Sequence, residues 1–221
     1  MNEIIFPKIE LENVKGVLID IDNTLYPYGP AHEKALKECY YAFVKKIKEG
    51  VSFDSFHNLY RAKRIEVTKR LYPQGSCRSR LFAFQSFFEE LGDKNAFINA
   101  CKFDALYWKS FNKNMKLSDN AHKFLLECQY KNIQVCAISD MQTYYQAQKL
   151  RALKVDHLID FLVTSEESGV EKPGSQIFLI ALKKLNLKFN DVIMIGDNEE
   201  KDIKGAEALK IKAYLVKVNY D

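Results

Sequence analysis

The sequence lacks the features that mark a membrane or secreted protein. None of its apolar runs is long enough to span a bilayer. The first ten residues mix acidic residues with Pro7, and they do not show the basic and then apolar stretch of a signal peptide. We therefore expect a cytoplasmic protein without a membrane partner.

The sequence also lacks the strong positive charge of a nucleic-acid-binding protein. Its net charge is +4 over 221 residues, so we expect no nucleic-acid partner, and a bound anion is the more natural implication. Apolar residues make up 47% of the chain and charged residues 28%, which is enough to build a sizeable core. The length suits one domain with a large insertion or two small domains.

Paired cysteines and grouped histidines are missing as well. The chain has five cysteines, an odd number, and no Cys-x-x-Cys pair. This argues against a disulfide framework and a zinc ribbon, and it favours a reducing compartment in which the cysteines pack as small buried residues. The four histidines have no partners at ligand spacing, so we assign none of them to a metal site. They are His32, His57, His122 and His157.

Five short apolar runs have the length and branching of buried parallel strands. They are residues 14–19, 133–138, 161–163, 192–195 and 212–216. Helical patterns separate most of them, at about residues 119–130, 142–153, 176–185 and 200–209. Strands that alternate with helices predict an α/β fold with a doubly wound parallel sheet, a Rossmann-like core.

Residues 30–112 break this alternation because they have a helical pattern throughout. Their first helix carries an apolar stripe, and Ser52 is placed to cap the second helix after a break at Gly50. A crossover in such a sheet usually needs one helix rather than four. We therefore predict an α/β core of residues 1–27 and 113–221 with a helical insertion of residues 28–112. The stripe consists of Ala31, Ala35, Cys39, Phe43 and Ile47, and we expect the phenylalanines at 82, 84, 87 and 88 to form the core of the insertion.

Residues that can carry chemistry follow three of the apolar runs directly. They are Asp20 and Asp22 after the first run, Ser139 after the second, and Asp197 with Asp202 after the fourth, while Lys172 precedes the helix at 176. In an open α/β sheet, ligands bind beyond the carboxyl ends of the strands. We therefore expect these side chains to meet at one rim of the sheet.

Several carboxylates at one site cannot all stay ionised without a compensating cation. Ligands that offer only oxygen favour a hard cation, and Mg²⁺ keeps water and substrate phosphate among its ligands. Lys172 adds a compact positive charge that suits a phosphate. Asp20 and Asp22 lie two residues apart at a strand end, so one can attack while the other handles protons.

At these residues the sequence resembles the haloacid dehalogenase superfamily of phosphohydrolases. Four motifs match in order, and together they are far more specific than any one of them. They are Asp20-Ile21-Asp22-Asn23-Thr24-Leu25, then Ser139, then Lys172-Pro173, then Gly196-Asp197 with Asp202. The resemblance covers about residues 10–27 and 113–221, and the helical insertion matches the helical cap of the family in position and size.

The resemblance implies a role for each motif residue. Asp20 is the expected nucleophile, and Asp22 is the expected general acid and then general base. Ser139 and Lys172 are expected to hold the substrate phosphate. The expected Mg²⁺ ligands are Asp20, the main-chain carbonyl of Asp22 and Asp197, and Asp202 adds a carboxylate either as a ligand or behind one.

Asp22 bears on the reaction class, because the dehalogenases and phosphonatases of this family lack the second acid. The resemblance therefore implies a Mg²⁺-dependent phosphatase that acts on a small phosphorylated metabolite, a sugar phosphate or nucleoside monophosphate, through an aspartyl-phosphate. Phosphomutases share both acids, so a mutase or phosphotransferase stays open. A non-enzymatic binding protein is a third alternative, which the intact motifs disfavour. The oligomeric state is left open.

Some residues have simpler alternatives. Ser139 could instead cap the helix that follows it. Lys172 could be an ordinary exposed lysine, and Asp202 could be an acid in the first turn of a helix. The loop glutamates Glu166, Glu167 and Glu171 are expected to be solvated. Arg78 and Arg80, beside the break at Gly75, are the candidates for substrate contact in the cap.

Overall fold

The computed structural model describes residues 3–219, and within them it contains seven strands and nine α-helices. The strands are β1 (Glu3–Ile5), β2 (Gly16–Ile19), β3 (Gln134–Ser139), β4 (Phe161–Thr164), β5 (Val192–Gly196), β6 (Lys212–Leu215) and β7 (Lys217–Asn219). The helices are α1 (Tyr28–Lys46), α2 (Phe53–Leu71), α3 (Arg80–Glu90), α4 (Ala96–Asn114), α5 (Asp119–Tyr130), α6 (Thr143–Ala152), α7 (Ser165–Ser168), α8 (Ser175–Leu185) and α9 (Lys204–Glu207). None of these described helices is long and apolar enough to cross a membrane.

The main sheet has five parallel strands in the order β4-β3-β2-β5-β6. β2 lies at its centre, and Val17 pairs with Val135 of β3 on one side and with Ile193 of β5 on the other. All four residues of β2 are buried, as expected for a strand covered on both faces. The predicted α/β fold with a parallel sheet is therefore confirmed.

The chain divides into two compact units. One comprises the chain up to Tyr28, Pro73–Gly75 and the chain from Met115 onward, and it contains the main sheet. The other comprises Gly29–Tyr72 and Ser76–Asn114, and it is helical. Pro73–Gly75 groups with the α/β unit, where the Pro73 carbonyl accepts a hydrogen bond of 3.1 Å from the main-chain N–H of Glu171.

The helical unit is packed around aromatic rings. Phe87 lies 5.1 Å from Phe56 between ring centroids, and Phe88 lies 4.9 Å from Phe103. These rings are buried, whereas Phe82 is exposed, so the expected phenylalanine core lacks that member. Ser52 caps α2 by accepting a hydrogen bond of 3.2 Å from the N–H of Ser55.

Two regions differ from the elements that the sequence pattern predicts. β1 and β7 form a separate antiparallel pair, and neither strand was predicted because each has only three residues. The expected helix at 200–209 begins instead as a π-helical turn, Glu199–Ile203, and continues as α9. This turn follows β5 and carries Asp202, so it belongs to the part of the fold that builds the site.

Candidate active site

The carboxyl ends of three neighbouring strands meet at one edge of the main sheet. Asp20 follows β2, Ser139 ends β3, and Asp197 follows β5. The N–H of Asp20 donates to the carbonyl of Ile195 at 2.9 Å, so the parallel pairing of β2 and β5 continues as far as this carboxylate. Asp20, Asp197 and Asp202 each offer an oxygen within 4.8 Å of the others.

Lys172 points its ammonium group into this carboxylate cluster. Its Nζ lies 2.6 Å from Oδ1 of Asp20 and 2.7 Å from Oδ1 of Asp202, and it donates to the carbonyl of Ile138 at 3.2 Å. The side chain is almost fully buried. The alternative of an ordinary exposed lysine is therefore wrong. A buried cation beside a candidate nucleophile can orient an anionic substrate.

The pKa values reflect an excess of carboxylates. Burial, opposed by the charge of Lys172, raises the pKa of Asp20 well above its usual range, and the nearby carboxylates of Asp202 and Asp197 raise it further. Burial and Asp202 raise the pKa of Asp197 to about 6. Burial alone would lower the pKa of Lys172, but the carboxylates of Asp20 and Asp202 hold it above its ordinary value. One ammonium group thus faces three acidic side chains, and a further cation would relieve their repulsion.

Asp202 lies in the π-helical turn Glu199–Ile203, as an acid of a first helical turn, but its side chain is buried against the end of β5. Its Oδ2 accepts from the main-chain N–H of Asn198 at 3.0 Å, and a Cβ atom at Gly196 would overlap its side chain. Its Oδ1 is buried and accepts no hydrogen bond of ordinary geometry from the described residues, although Lys172 forms the ion pair. The three acidic groups fit a hard divalent cation, which takes oxygen ligands.

The side chain of Asp22 pairs with a lysine other than Lys172. Both of its oxygens lie 2.7 Å from Nζ of Lys149, and Oδ1 also accepts from the hydroxyl of Tyr26. Sequence reasoning missed Lys149 and Tyr26. A signal was present in α6, where Lys149 shares a buried face with Gln146 and Leu150 at helical spacing.

Ser139 is buried at the end of β3. Its Oγ accepts a hydrogen bond of 2.7 Å from Nε2 of Gln146. α6 begins at Thr143 and its N-cap residue is Gln142, so the alternative that Ser139 caps this helix is wrong. The predicted phosphate-binding role of Ser139 stays a prediction.

The main chain of Lys172 is held by a charged network of its own. Oδ1 of Asp140 accepts from the N–H of Lys172 at 2.8 Å, and Oδ2 accepts from Nζ of Lys201 at 2.6 Å. Lys201 also pairs with Glu171 at 2.9 Å. Glu171 is only 1% exposed, so the expectation of a solvated charge is wrong for this residue, because the ion pair compensates its burial. Glu166 and Glu167 are exposed as expected.

The two cap arginines both lie in the helical unit. Arg78 ends a 3₁₀ turn, Gly75–Arg78, and Arg80 begins α3. Arg80 is buried, with its guanidinium 5.1 Å from the ring centroid of Tyr107 and 5.9 Å from that of Trp108. This is the geometry of a cation–π contact. Substrate contact by Arg78 or Arg80 stays a prediction.

Known proteins resemble this chain in sequence. A sequence profile of the haloacid dehalogenase-like hydrolases matches residues 14–210. A ribulose-1,5-bisphosphate 5-phosphatase from Halopiger xanaduensis is 31% identical over 203 residues, which cover 90% of this chain and 83% of the relative. A glyceraldehyde 3-phosphate phosphatase from Methanopyrus kandleri is 31% identical over 195 residues, which cover 87% of this chain and 79% of the relative.

Solved structures show the same fold. A 2-haloacid dehalogenase from Pseudomonas syringae superposes with a TM-score of 0.72 at 18% identity, over 90% of this chain and 85% of that one. The family profile and the relatives named phosphatases confirm the predicted enzyme class, a phosphoric monoester hydrolase, and they leave no support for a non-enzymatic binding protein. The chain belongs to the haloacid dehalogenase-like hydrolases.

Proposed function

We propose that this hydrolase removes phosphate from a small sugar phosphate in a Mg²⁺-dependent reaction that passes through an aspartyl-phosphate on Asp20. The observation that carries the proposal is the surroundings of Asp20. This buried carboxylate lies 2.6 Å from the ammonium group of Lys172 and within 4.8 Å of Asp197 and Asp202. A nucleophile next to a cation and a candidate metal site is suited to phosphoryl transfer, in which positioning and charge stabilisation supply most of the catalysis.

The reaction has two steps, and the same two aspartates act in both. In the first, an oxygen of Asp20 forms a bond to phosphorus while the bond to the ester oxygen breaks, and Asp22 gives its proton to the departing alcohol. In the second, water attacks phosphorus, Asp22 takes the proton, and the bond between phosphorus and Asp20 breaks. Free phosphate leaves, and both carboxyl groups return to their starting state.

The remaining residues bind and orient. Lys172 and Ser139 hold the oxygens of the phosphoryl group, and Asp140 fixes the main chain of Lys172 through the hydrogen bond of 2.8 Å. Asp20, the carbonyl of Asp22, Asp197 and Asp202 are the groups that would hold Mg²⁺. When bound, the ion neutralises charge on the transferring phosphoryl group.

The relatives support a sugar phosphate as the substrate class. Two of them are named for ribulose 1,5-bisphosphate and for glyceraldehyde 3-phosphate, and both compounds are phosphate esters of small polyhydroxylated molecules. Nothing in the comparisons named above favours a nucleoside monophosphate. A cytoplasmic location stays a prediction.

The test is a panel of phosphate esters assayed for released phosphate with Mg²⁺ present. The panel contains ribulose 1,5-bisphosphate, glyceraldehyde 3-phosphate, ribose 5-phosphate, AMP and 4-nitrophenyl phosphate, and Asp20→Asn is the matched control. We expect at least one sugar phosphate to be hydrolysed with a higher kcat/KM than AMP. Interconversion of sugar phosphates without free phosphate would instead identify a mutase, and a protein inert on every ester would contradict the proposal.

A further inference from the structure

Lys149 is a fully buried lysine of the α/β unit that forms an ion pair with Asp22. Its side chain is 0% exposed, and its Nζ lies 2.7 Å from each carboxylate oxygen of Asp22, whose own side chain is 28% exposed. Burying an ammonium group is costly unless it is paired and hydrogen-bonded. The fold thus buries the positive charge of Lys149 next to Asp22, the residue that is assigned to proton transfer.

The contacts with Lys149 and Tyr26 fix both the position and the rotation of the Asp22 carboxylate. A single hydrogen bond would leave the group free to turn, whereas Lys149 contacts both oxygens and the buried hydroxyl of Tyr26 donates to Oδ1 as well. The donors come from separate parts of the chain, α6 and the segment before α1. Such a group is limited to few of the rotamers that an aspartate at a strand end would otherwise adopt.

The side chain of Lys149 is itself held in place by its neighbours. Its Nζ lies 3.9 Å from Sδ of Met141 and 5.9 Å from the ring centroid of Tyr28. Its neighbour on the same buried helix face, Gln146, donates to Ser139. One face of α6 therefore reaches two of the motif residues, the proton-transfer group and a phosphate-binding candidate.

We propose that Lys149 is a positioning residue that, with Tyr26, fixes the carboxyl group of Asp22, which is protonated when the first step begins, for proton transfer to the leaving oxygen. The inference rests on the proposed function, because it assigns Lys149 to the same reaction. Catalytic proton transfer requires hydrogen-bond reach in the reacting geometry, and a misplacement of one ångström can cost a large factor in rate. Lys149 acts in this proposal through Asp22, so it is a positioning residue rather than a catalytic one.

The test compares two esters in Lys149→Met. The esters are the better of glyceraldehyde 3-phosphate and ribulose 1,5-bisphosphate, whose alkoxide leaving groups need a proton, and 4-nitrophenyl phosphate, whose leaving group needs little. kcat/KM is the correct quantity because it covers the steps up to departure of the alcohol. We expect kcat/KM to fall about 10- to 100-fold for the sugar phosphate and less than about 3-fold for the aryl ester. Arg151→Met removes an exposed charge from the same helix and should change neither value.

A double variant separates positioning from a general loss of structure. In an Asp22→Asn background, adding Lys149→Met should change kcat/KM for the sugar phosphate by less than about 2-fold, because the group that Lys149 positions has gone. Equal losses on both esters, or a full additional loss in the Asp22→Asn background, would overturn the inference.

A milder variant covers the case in which Lys149→Met does not fold. Tyr26→Phe removes only the hydroxyl that contacts Asp22, and the same selective loss on the sugar phosphate is expected, whereas equal losses on both esters would overturn the inference. If wild type is active and both variants leave both esters unchanged, the inference alone fails. If wild type hydrolyses no ester of the panel, the proposed function fails and the inference fails with it.

Discussion

The ammonium group of Lys172 lies 2.6 Å from the carboxylate of Asp20, although 152 residues separate the two in the chain. Both groups are buried, so each charge offsets part of the cost of burying the other. This relationship makes the charge of Asp20 important for the geometry of the site as well as for the chemistry assigned to it.

Asp20→Asn keeps the shape of the side chain but removes its attacking charge. We expect phosphate release to fall at least about 10³-fold, a barrier change of about 4 kcal/mol. Lys172 keeps its contact with Asp202 at 2.7 Å, so the variant should fold. The measurement is kcat on the panel, with mass spectrometry to detect a phosphoenzyme in wild type and not in the variant. A variant that kept about a tenth of the activity would show that another group attacks phosphorus.

Removing the metal should abolish activity. Excess chelator is expected to stop phosphate release, Mg²⁺ or Mn²⁺ to restore it, and Ca²⁺ to support it poorly because that ion is larger and more loosely coordinated. Asp202→Asn removes one buried carboxylate of the triad and should raise the Mg²⁺ concentration for half-maximal activity by about 10-fold or more. Full activity in excess chelator would rule out the metal-dependent mechanism.

Asp22→Asn and Lys149→Met should differ in their effect on stability. Asp22→Asn removes the carboxylate that pairs with a fully buried ammonium group, which costs about 3–5 kcal/mol of unfolding free energy. Lys149→Met leaves a carboxylate that is 28% exposed and can be hydrated, so its cost should be smaller. The double variant should be more stable than Asp22→Asn alone. Urea unfolding of the four proteins checks this order, and equal costs for the two single variants would contradict it.

The sequence pattern predicted much of the core because strand ends are local features. Short apolar runs followed by aspartates at 20 and 197 identify both the sheet and its chemical edge, because parallel topology places the carboxyl ends of the strands at the same edge. Lys172 lies before a helix rather than at a strand end, and it was predicted from its positive charge and from the Lys172-Pro173 motif of the family.

The sequence pattern does not predict residues whose surroundings are set by contacts with distant parts of the chain. A lysine within a helix, such as Lys149, is usually solvated, and only the packing of α6 brings it to Asp22. Glu171 was expected in solvent because nothing in the sequence pairs it with Lys201, 30 residues away. The sequence pattern predicts a helix at 200–209, but it does not distinguish the π-helical turn at Glu199–Ile203 from an α-helix, since the two have nearly the same pattern.

Arg78→Ala and Arg80→Ala test the cap. If either side chain contacts substrate, kcat/KM for the sugar phosphate should fall about 10- to 100-fold while 4-nitrophenyl phosphate is spared. Arg80→Ala should in addition lower stability, because its guanidinium packs over Tyr107 and Trp108. Steady-state kinetics and thermal unfolding distinguish the two effects. Unchanged kcat/KM for the sugar phosphate in both variants would remove the arginines from the substrate-binding site.

His32 should make the protein sensitive to acid. Burial, together with the positive charges of Arg80 and Arg64, lowers the pKa of His32 to about 3, against 6.5 in an unfolded chain. Between these two values the unfolded chain binds a proton that the folded protein does not, so the contribution of His32 to stability is fully present above about pH 6.5 and declines as the pH falls.

The expected loss of unfolding free energy from this group is about 2–3 kcal/mol by about pH 4. The matched variant is His32→Asn, which cannot titrate there and offers a hydrogen-bonding group near the position of Nδ1, the atom that lies 2.6 Å from the Tyr107 hydroxyl. Urea unfolding at a series of pH values from neutral to about 4 should show the two proteins diverging, with wild type losing more stability. Carboxylates contribute equally to both curves, so the difference between them isolates His32. Parallel curves over the whole range would mean that His32 has an ordinary pKa in the folded protein.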